Sequence, residues 1–280
     1  MTIQGFRTLK TCCIGLTSLA TAMMMTTMPA QAAGDLLVAP TRVVLDGNRG
    51  TEVILNNIGS ETATYRISLE LRRMTADGRL EEVSEDESNT IEQAAKAMIR
   101  YAPRRVTLPP NQPQAIRLGV RAPEGLPDGE YRVHLLFRAI PEARSVTDQT
   151  MPDGGFTIAL TPIYGVTIPI IVRYGNLQAT AAIANGRMEK DPDGQSFAFD
   201  LSRTGNRSTY GEIRITKPGM GEPVMVARGI AVYPELTKRT VSLPVPPEIA
   251  AQLTGQISVA YYESENDGGA LIAQSDMVIR

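Results

Sequence analysis

The sequence predicts an all-β protein built as two sandwiches, and three observations carry that reading. Apolar residues recur with a period of two in short runs from Leu36 to Ile279, the spacing that turns one face of a strand towards a core. The chain's 24 glycines and 19 prolines punctuate those runs, as an all-β chain requires. With no tryptophan and only 5 phenylalanines, any core has to be assembled from Val, Ile, Leu and Ala.

The first residues read as an export signal. Arg7 and Lys10 precede an apolar stretch from Ile14 to Met28, and Ala30-Gln31-Ala32 fits the small-x-small cleavage rule, so residues 1–32 are expected to be removed after Ala32 on export. No later segment is long and apolar enough to span a bilayer, so no membrane insertion is expected. Both cysteines, Cys12 and Cys13, lie within the signal, which leaves the exported chain without thiol or disulfide chemistry. The full chain carries a net charge of −2, and the signal takes away two basic residues and no acidic ones; no nucleic-acid partner fits that balance.

Leu36–Leu45 (LLVAPTRVVL) reads as a strand interrupted at Pro40, and Gly47–Gly50 as a turn leading into a strand at Thr51–Asn56. Tyr65–Leu71 alternates again before a turn at Asp77-Gly78. Glu81–Glu87 (EEVSEDE) reads as a solvated acidic loop, and Ile91–Met98 is the only stretch with helical character. Tyr101–Leu108, Gln114–Val120 and Glu130–Ile140 supply further strands, and the first half totals about seven, as in an Ig-like sandwich. Residues 142–155 are polar and rich in turn formers, so they read as a loop.

The next segment, Phe156–Arg173 (FTIALTPIYGVTIPIIVR), places apolar side chains at every even position from Phe156 to Val172. Such a run would extend for about 50 Å, far beyond an ordinary strand. It is either one strand projecting an apolar stripe past its own sheet or two strands joined at Pro162 or Gly165. Arg173–Asn176 breaks the alternation and is the expected domain boundary, giving domains at 33–174 and 175–280. The second half alternates at Leu177–Ile183, Ser196–Leu201, Gly211–Thr216, Val224–Val232, Thr240–Val245, Gln256–Tyr262 and Leu271–Ile279, a second, smaller sandwich.

The chain offers few parts for catalysis, and a non-enzyme is expected. Its one histidine, His134, shares a strand face with Arg132 and Arg138, which predicts an exposed side chain. Gly-x-Ser-x-Gly and phosphate-binding glycine loops are absent. Asp191-Pro192-Asp193-Gly194 and Asp267-Gly268-Gly269 read as turns and not as calcium loops, so neither metal nor cofactor is expected. The arginines stand out instead: Arg42 interrupts an apolar first strand, and Arg100, Arg104 and Arg105 flank Pro103. A guanidinium at a strand end can hold a carboxylate by two hydrogen bonds while the backbone pairs with an incoming strand.

Four pieces together resemble the periplasmic chaperones of the chaperone/usher pilus assembly pathway. They are PTRVVL at Pro40–Leu45, APRRVTLPPNQPQAIRL at Ala102–Leu118, GEYRVHLLFRAIP at Gly129–Pro141 and YGVTIPIIVR at Tyr164–Arg173. The resemblance implies two Ig-like domains set at an angle around a cleft, with pilus subunits and an outer-membrane usher as partners. It implies a donor strand completing a subunit's unfinished fold, for which Phe156, Ile158, Leu160, Pro162 and Tyr164 are the candidates. It further implies that the subunit's terminal carboxylate is anchored by an arginine, matched by Arg42, and usually by a lysine on the donor strand. No basic residue lies between Arg144 and Arg173, so Arg104 or Arg105 is the expected substitute. An interdomain charge cluster is matched by Glu130, Arg173 and Asp267. The alternative is an exported Ig-like structural or adhesive module of a surface fibre.

Overall fold

The period-two runs become two pairs of sheets. The computed structural model describes residues 36–46, 50–141, 163–192 and 194–280. The expected signal segment, the 142–155 loop and the candidates Phe156, Ile158, Leu160 and Pro162 lie outside the described residues. Among the described helices none is long and apolar enough to cross a membrane.

The first Ig-like sandwich comprises β1 (Leu36–Ala39), β2 (Val43–Leu45), β3 (Thr51–Asn57), β4 (Ala63–Met74), β5 (Leu80–Val83), α1 (Thr90–Met98), β6 (Ile99–Ala102), β7 (Arg105–Leu108), β8 (Pro113–Val120), β9 (Gly129–Ile140) and β10 (Gly165–Tyr174). One sheet has the order β1-β3-β8-β6 and the other β2-β10-β9-β4, with β5 and β7 both paired to β4. The interruption expected at Pro40 is thus a change of sheet, because β1 pairs with β3 while β2 runs parallel to β10. Alternate residues of both sheets close the core, among them Leu55, Ile67, Ile116, Leu135, Phe137 and Ile170. Each large side chain fully buried there contributes about 1.5–3 kcal/mol.

The helical stretch expected at Ile91–Met98 is α1. Asn89 accepts from the Glu92 N–H and Glu92 accepts from the Asn89 N–H, a reciprocal cap that fixes where the helix starts. Ala95 and Met98 enter the core. The acidic run before it is exposed at most positions but not free of structure: Glu81 and Glu82 stand opposite Arg73 and Arg72 across β5 and β4, and Glu85 pairs with Lys96.

The second Ig-like sandwich contains β11 (Ala179–Asp191), β12 (Gly194–Gly205), β13 (Thr209–Thr216), β14 (Met225–Val232), β15 (Lys238–Val245), α2 (Pro247–Ala250), β16 (Gly255–Glu263) and β17 (Leu271–Ile279). Its sheets run β11-β12-β15 and β14-β13-β16-β17, around Phe197, Phe199, Ile213, Ile215, Val259 and Tyr261. Short helical turns at α2, Ala251–Leu253 and Glu265–Asp267 interrupt the alternation that the sequence displays.

A third apolar cluster joins the halves. Ile171 of β10 and Met74 of β4 are buried with Ala231 and Tyr233 from the second sandwich. The β4–β5 turn adds backbone contacts: the Thr240 N–H donates to the Ala76 carbonyl at 2.8 Å, and the Met74 N–H donates to Glu235 at 2.8 Å. The link after β10 is pinned as well, since the Asn176 N–H donates to Asp128 and the Asn206 amide donates to the Asn176 carbonyl.

Candidate functional site

The outward face of the β2-β10-β9-β4 sheet and the free part of its edge form the candidate site. β10 pairs with β9 along its whole length, Gly165 to Tyr174, but with β2 only through Ile170, Ile171 and Val172. Among the described residues nothing pairs with the other side of β10 from Gly165 to Pro169. This half-strand therefore presents backbone donors and acceptors to any chain laid beside it. Pro169 lacks an N–H and sits where a proline is tolerated, at a partly unpaired edge. Tyr164 and Ile163, just before the strand, are about half exposed.

Arg42 precedes β2, so the parallel register that pairs Val43 with Ile170 brings it level with Pro169. It is not a free surface cation. Its Nη1 lies 3.5 Å from Asp267, its guanidinium lies 4.2 Å from the centre of the Tyr210 ring, and its Nε and Nη2 are buried with no hydrogen-bond partner among the described residues. A planar guanidinium with two unsatisfied donor groups can take a carboxylate bidentately once a small shift of the side chains around it uncovers them.

Arg104 and Arg105 do not join Arg42. Arg105 pairs opposite Arg66 on β4, and the Arg104 carbonyl accepts from the Ile67 N–H, so both flank the far side of the sheet. Four strand-to-strand steps separate that side from β2, about 19 Å. The sequence reading that Arg104 or Arg105 replaces a missing lysine at the Arg42 site is corrected: one carboxylate cannot reach both places. Chain proximity to a proline-broken strand gave no information about which strand β7 would join.

Glu130, Arg173 and Asp267 do come together. Arg173 lies 3.6 Å from Glu130 and 3.2 Å from Asp267, and the other oxygen of Asp267 meets Arg42. Glu130 has a fully buried side chain and accepts from both the N–H and the hydroxyl of Ser208, at 3.1 and 2.8 Å. Beside this cluster Arg203 is buried and donates to four carbonyls, those of Gly205, Arg207, Pro234 and Leu236. Its isolated position in RTGNRS gives no hint of that role. Burial holds its pKa below the usual arginine value, against the opposing pull of the Glu130 and Glu235 charges.

His134, expected to be exposed, is instead 1% accessible. It does point to the outward face, between Glu70 and Pro169 in register, but at this level the face is covered. One row along, Arg132 stacks over Tyr233 at 3.5 Å and bonds Glu235, and Ile171 is sealed against the second sandwich. Strand alternation identified the face correctly but not what lies over it. Neither ring nitrogen of His134 has a hydrogen-bond partner among the described residues.

Burial, reinforced by the charges of Arg132 and Arg72, lowers the His134 pKa to about 3. The unfolded chain thus binds a proton near pH 6.5 that the folded chain refuses. Stability contributed by this residue is complete above about pH 6.5 and falls with pH at a limiting slope of about 1.4 kcal/mol per pH unit. His134→Phe is expected to flatten the urea-measured stability profile between pH 6.5 and 4, in contrast to the parent chain.

No family model matches the chain, and no curated protein matches it. Among solved structures it is similar to the E. coli chaperone DraB, at 14% identity and a TM-score of 0.45, over 88% of this chain and 97% of that one. A structure of the Salmonella enterica SafA pilin in complex with the SafB chaperone is similar at 15% identity and a TM-score of 0.45, over 88% and 96%. The Pseudomonas aeruginosa CupB2 chaperone follows at 14% and 0.44, over 87% and 100%. Likeness at this level carries no residue's role across to this chain.

Proposed function

We propose that this chain is a periplasmic chaperone that captures pilus subunits by lending them a strand and hands them to an outer-membrane usher. The observation that carries the proposal is the free edge of β10 from Gly165 to Pro169, at the end of an apolar stripe that the sequence continues back to Phe156. Main-chain hydrogen bonds along such an edge set register, and alternate side chains entering a client's groove supply affinity. Phe156, Ile158, Leu160, Pro162 and Tyr164 are the donor residues on this reading, and each large one contributes about 1.5–3 kcal/mol when buried in the client.

Arg42 is the carboxylate anchor, at the level where β2 stops covering β10 and with two buried donor groups that no acceptor among the described residues satisfies. Glu130, Arg173 and Asp267 hold the sandwiches and keep Arg42 oriented through Asp267. The domains divide at Tyr174 and Gly175, and the signal ends at Ala32. Release by exchange with a better-fitting strand needs neither cofactor nor catalytic group.

Affinity isolation of the exported chain from periplasm, followed by mass spectrometry, is expected to yield a one-to-one complex with a pilus subunit. Recovery of the chain within sheared surface fibres would overturn the proposal. Arg42→Met is expected to weaken subunit capture about tenfold or more through loss of the charge-assisted pair. Its thermal transition should also fall modestly, because the contacts to Asp267 and Tyr210 are lost. Unchanged capture would remove Arg42 from the anchor.

A further inference from the structure

Three arginines stand in one row across the outward face of the first sandwich. Arg105 on β7 is directly opposite Arg66 on β4, which is directly opposite Arg138 on β9. All three are exposed, and none makes an ion pair or side-chain hydrogen bond among the described residues. Like charges facing each other across strands, with Cβ atoms about 5 Å apart, oppose folding. Elsewhere the same sheet neutralises its arginines: Glu70 sits on Arg72, Glu92 on Arg73 and Glu235 on Arg132. Here it does not.

The charge continues around the β7 edge. Arg104, Arg100 and Lys96 line a cavity of about 420 Å³, and among the described residues only Lys96 of the three has an acidic partner, Glu85. The chain as a whole is slightly acidic, so this cationic zone is a local feature and not a consequence of net charge.

We infer that the Arg105–Arg66–Arg138 row is a docking surface for an acidic segment of a protein partner. Guanidinium forks match carboxylates in pairs, which favours arginine over lysine for this purpose. The flanking outward residues on β4 and β7 are the polar Thr64, Ser68 and Thr107, and on β9 they are Leu136 and Ile140, both half-buried, so the exposed groups of the row are its guanidiniums and a bilayer finds little apolar anchor. Arg138 lies one strand in from β10, and the row leads away from the free edge of β10. A strand paired to that edge leaves the row open, so the partner is a second one, distinct from whatever pairs with β10.

The test uses the exported full chain and an end-blocked poly-glutamate peptide as probe, with fluorescence anisotropy as the readout. Arg66→Gln with Arg138→Gln is expected to weaken probe binding about tenfold or more. The same double variant should melt at a higher temperature than the parent, because the cross-strand repulsion is gone. Arg117→Gln with Arg121→Gln, which removes equal charge from elsewhere on the surface, should leave binding unchanged. Equal weakening by the two double variants would mean that the probe reads only net charge, and the inference fails. It also fails if the first variant melts lower, or if phosphatidylglycerol vesicles bind through the row while the peptide does not. Subunit capture by the first variant should match the parent, so a failure here is distinguishable from failure of the chaperone proposal.

Discussion

Replacing Ile158 and Leu160 together by aspartate is expected to abolish recovery of a subunit complex while leaving the free chain's thermal transition where it was. Two large apolar side chains withdrawn from a client groove forfeit about 3–6 kcal/mol. At about 1.4 kcal/mol per tenfold, that is roughly two to four orders of magnitude in affinity. Two buried carboxylates would add a desolvation penalty in the same direction. The control matters because the donor residues serve a client on this account and not the chain's own core. Pull-down of a subunit from periplasm by the variant, at the parent's yield, would locate the capture surface elsewhere.

The second large effect concerns the junction of the sandwiches. Glu130→Ala is expected to destabilise the protein by about 3–5 kcal/mol, the cost of breaking a buried ionic network from one side. The variant leaves the Ser208 N–H and hydroxyl without their acceptor and Arg173 with Asp267 alone. For a chain of this size that corresponds to a fall in melting temperature of roughly 6–20 °C. Glu130→Gln, which keeps an oxygen for Ser208, should lose clearly less. Differential scanning calorimetry distinguishes the two, and equal losses would mean that the negative charge and not the hydrogen bonding holds the junction.

The architecture was legible because strand alternation is a local property. All seven runs read in the second half are strands, and the sheet change at Pro40 announced itself as a break in LLVAPTRVVL. The grouping of Glu130, Arg173 and Asp267 came from resemblance, since no local signal joins residues so far apart in the chain. What stayed hidden depends on which strands become neighbours and on what covers a face. His134 alternated with arginines and so looked solvated, but it is buried on the part of that face next to the row where Ile171 packs against the second sandwich. Arg105 looked available to Arg42 until pairing placed β7 and β2 at opposite sides of the sheet. The row formed by Arg105, Arg66 and Arg138 was invisible for the same reason: its members come from three separate runs, and only register aligns them.

Strand donation along β10 is most directly tested by hydrogen exchange of the amides from Ile163 to Ile168, measured in the free chain and in its complex with a captured subunit. In the free chain the amides that point away from β9 have no partner among the described residues and should exchange rapidly. In the complex they should be strongly protected, together with amides of the Phe156–Pro162 stripe. A stable complex in which this stretch exchanges as fast as in the free chain, while protection appears on another surface, would contradict the account.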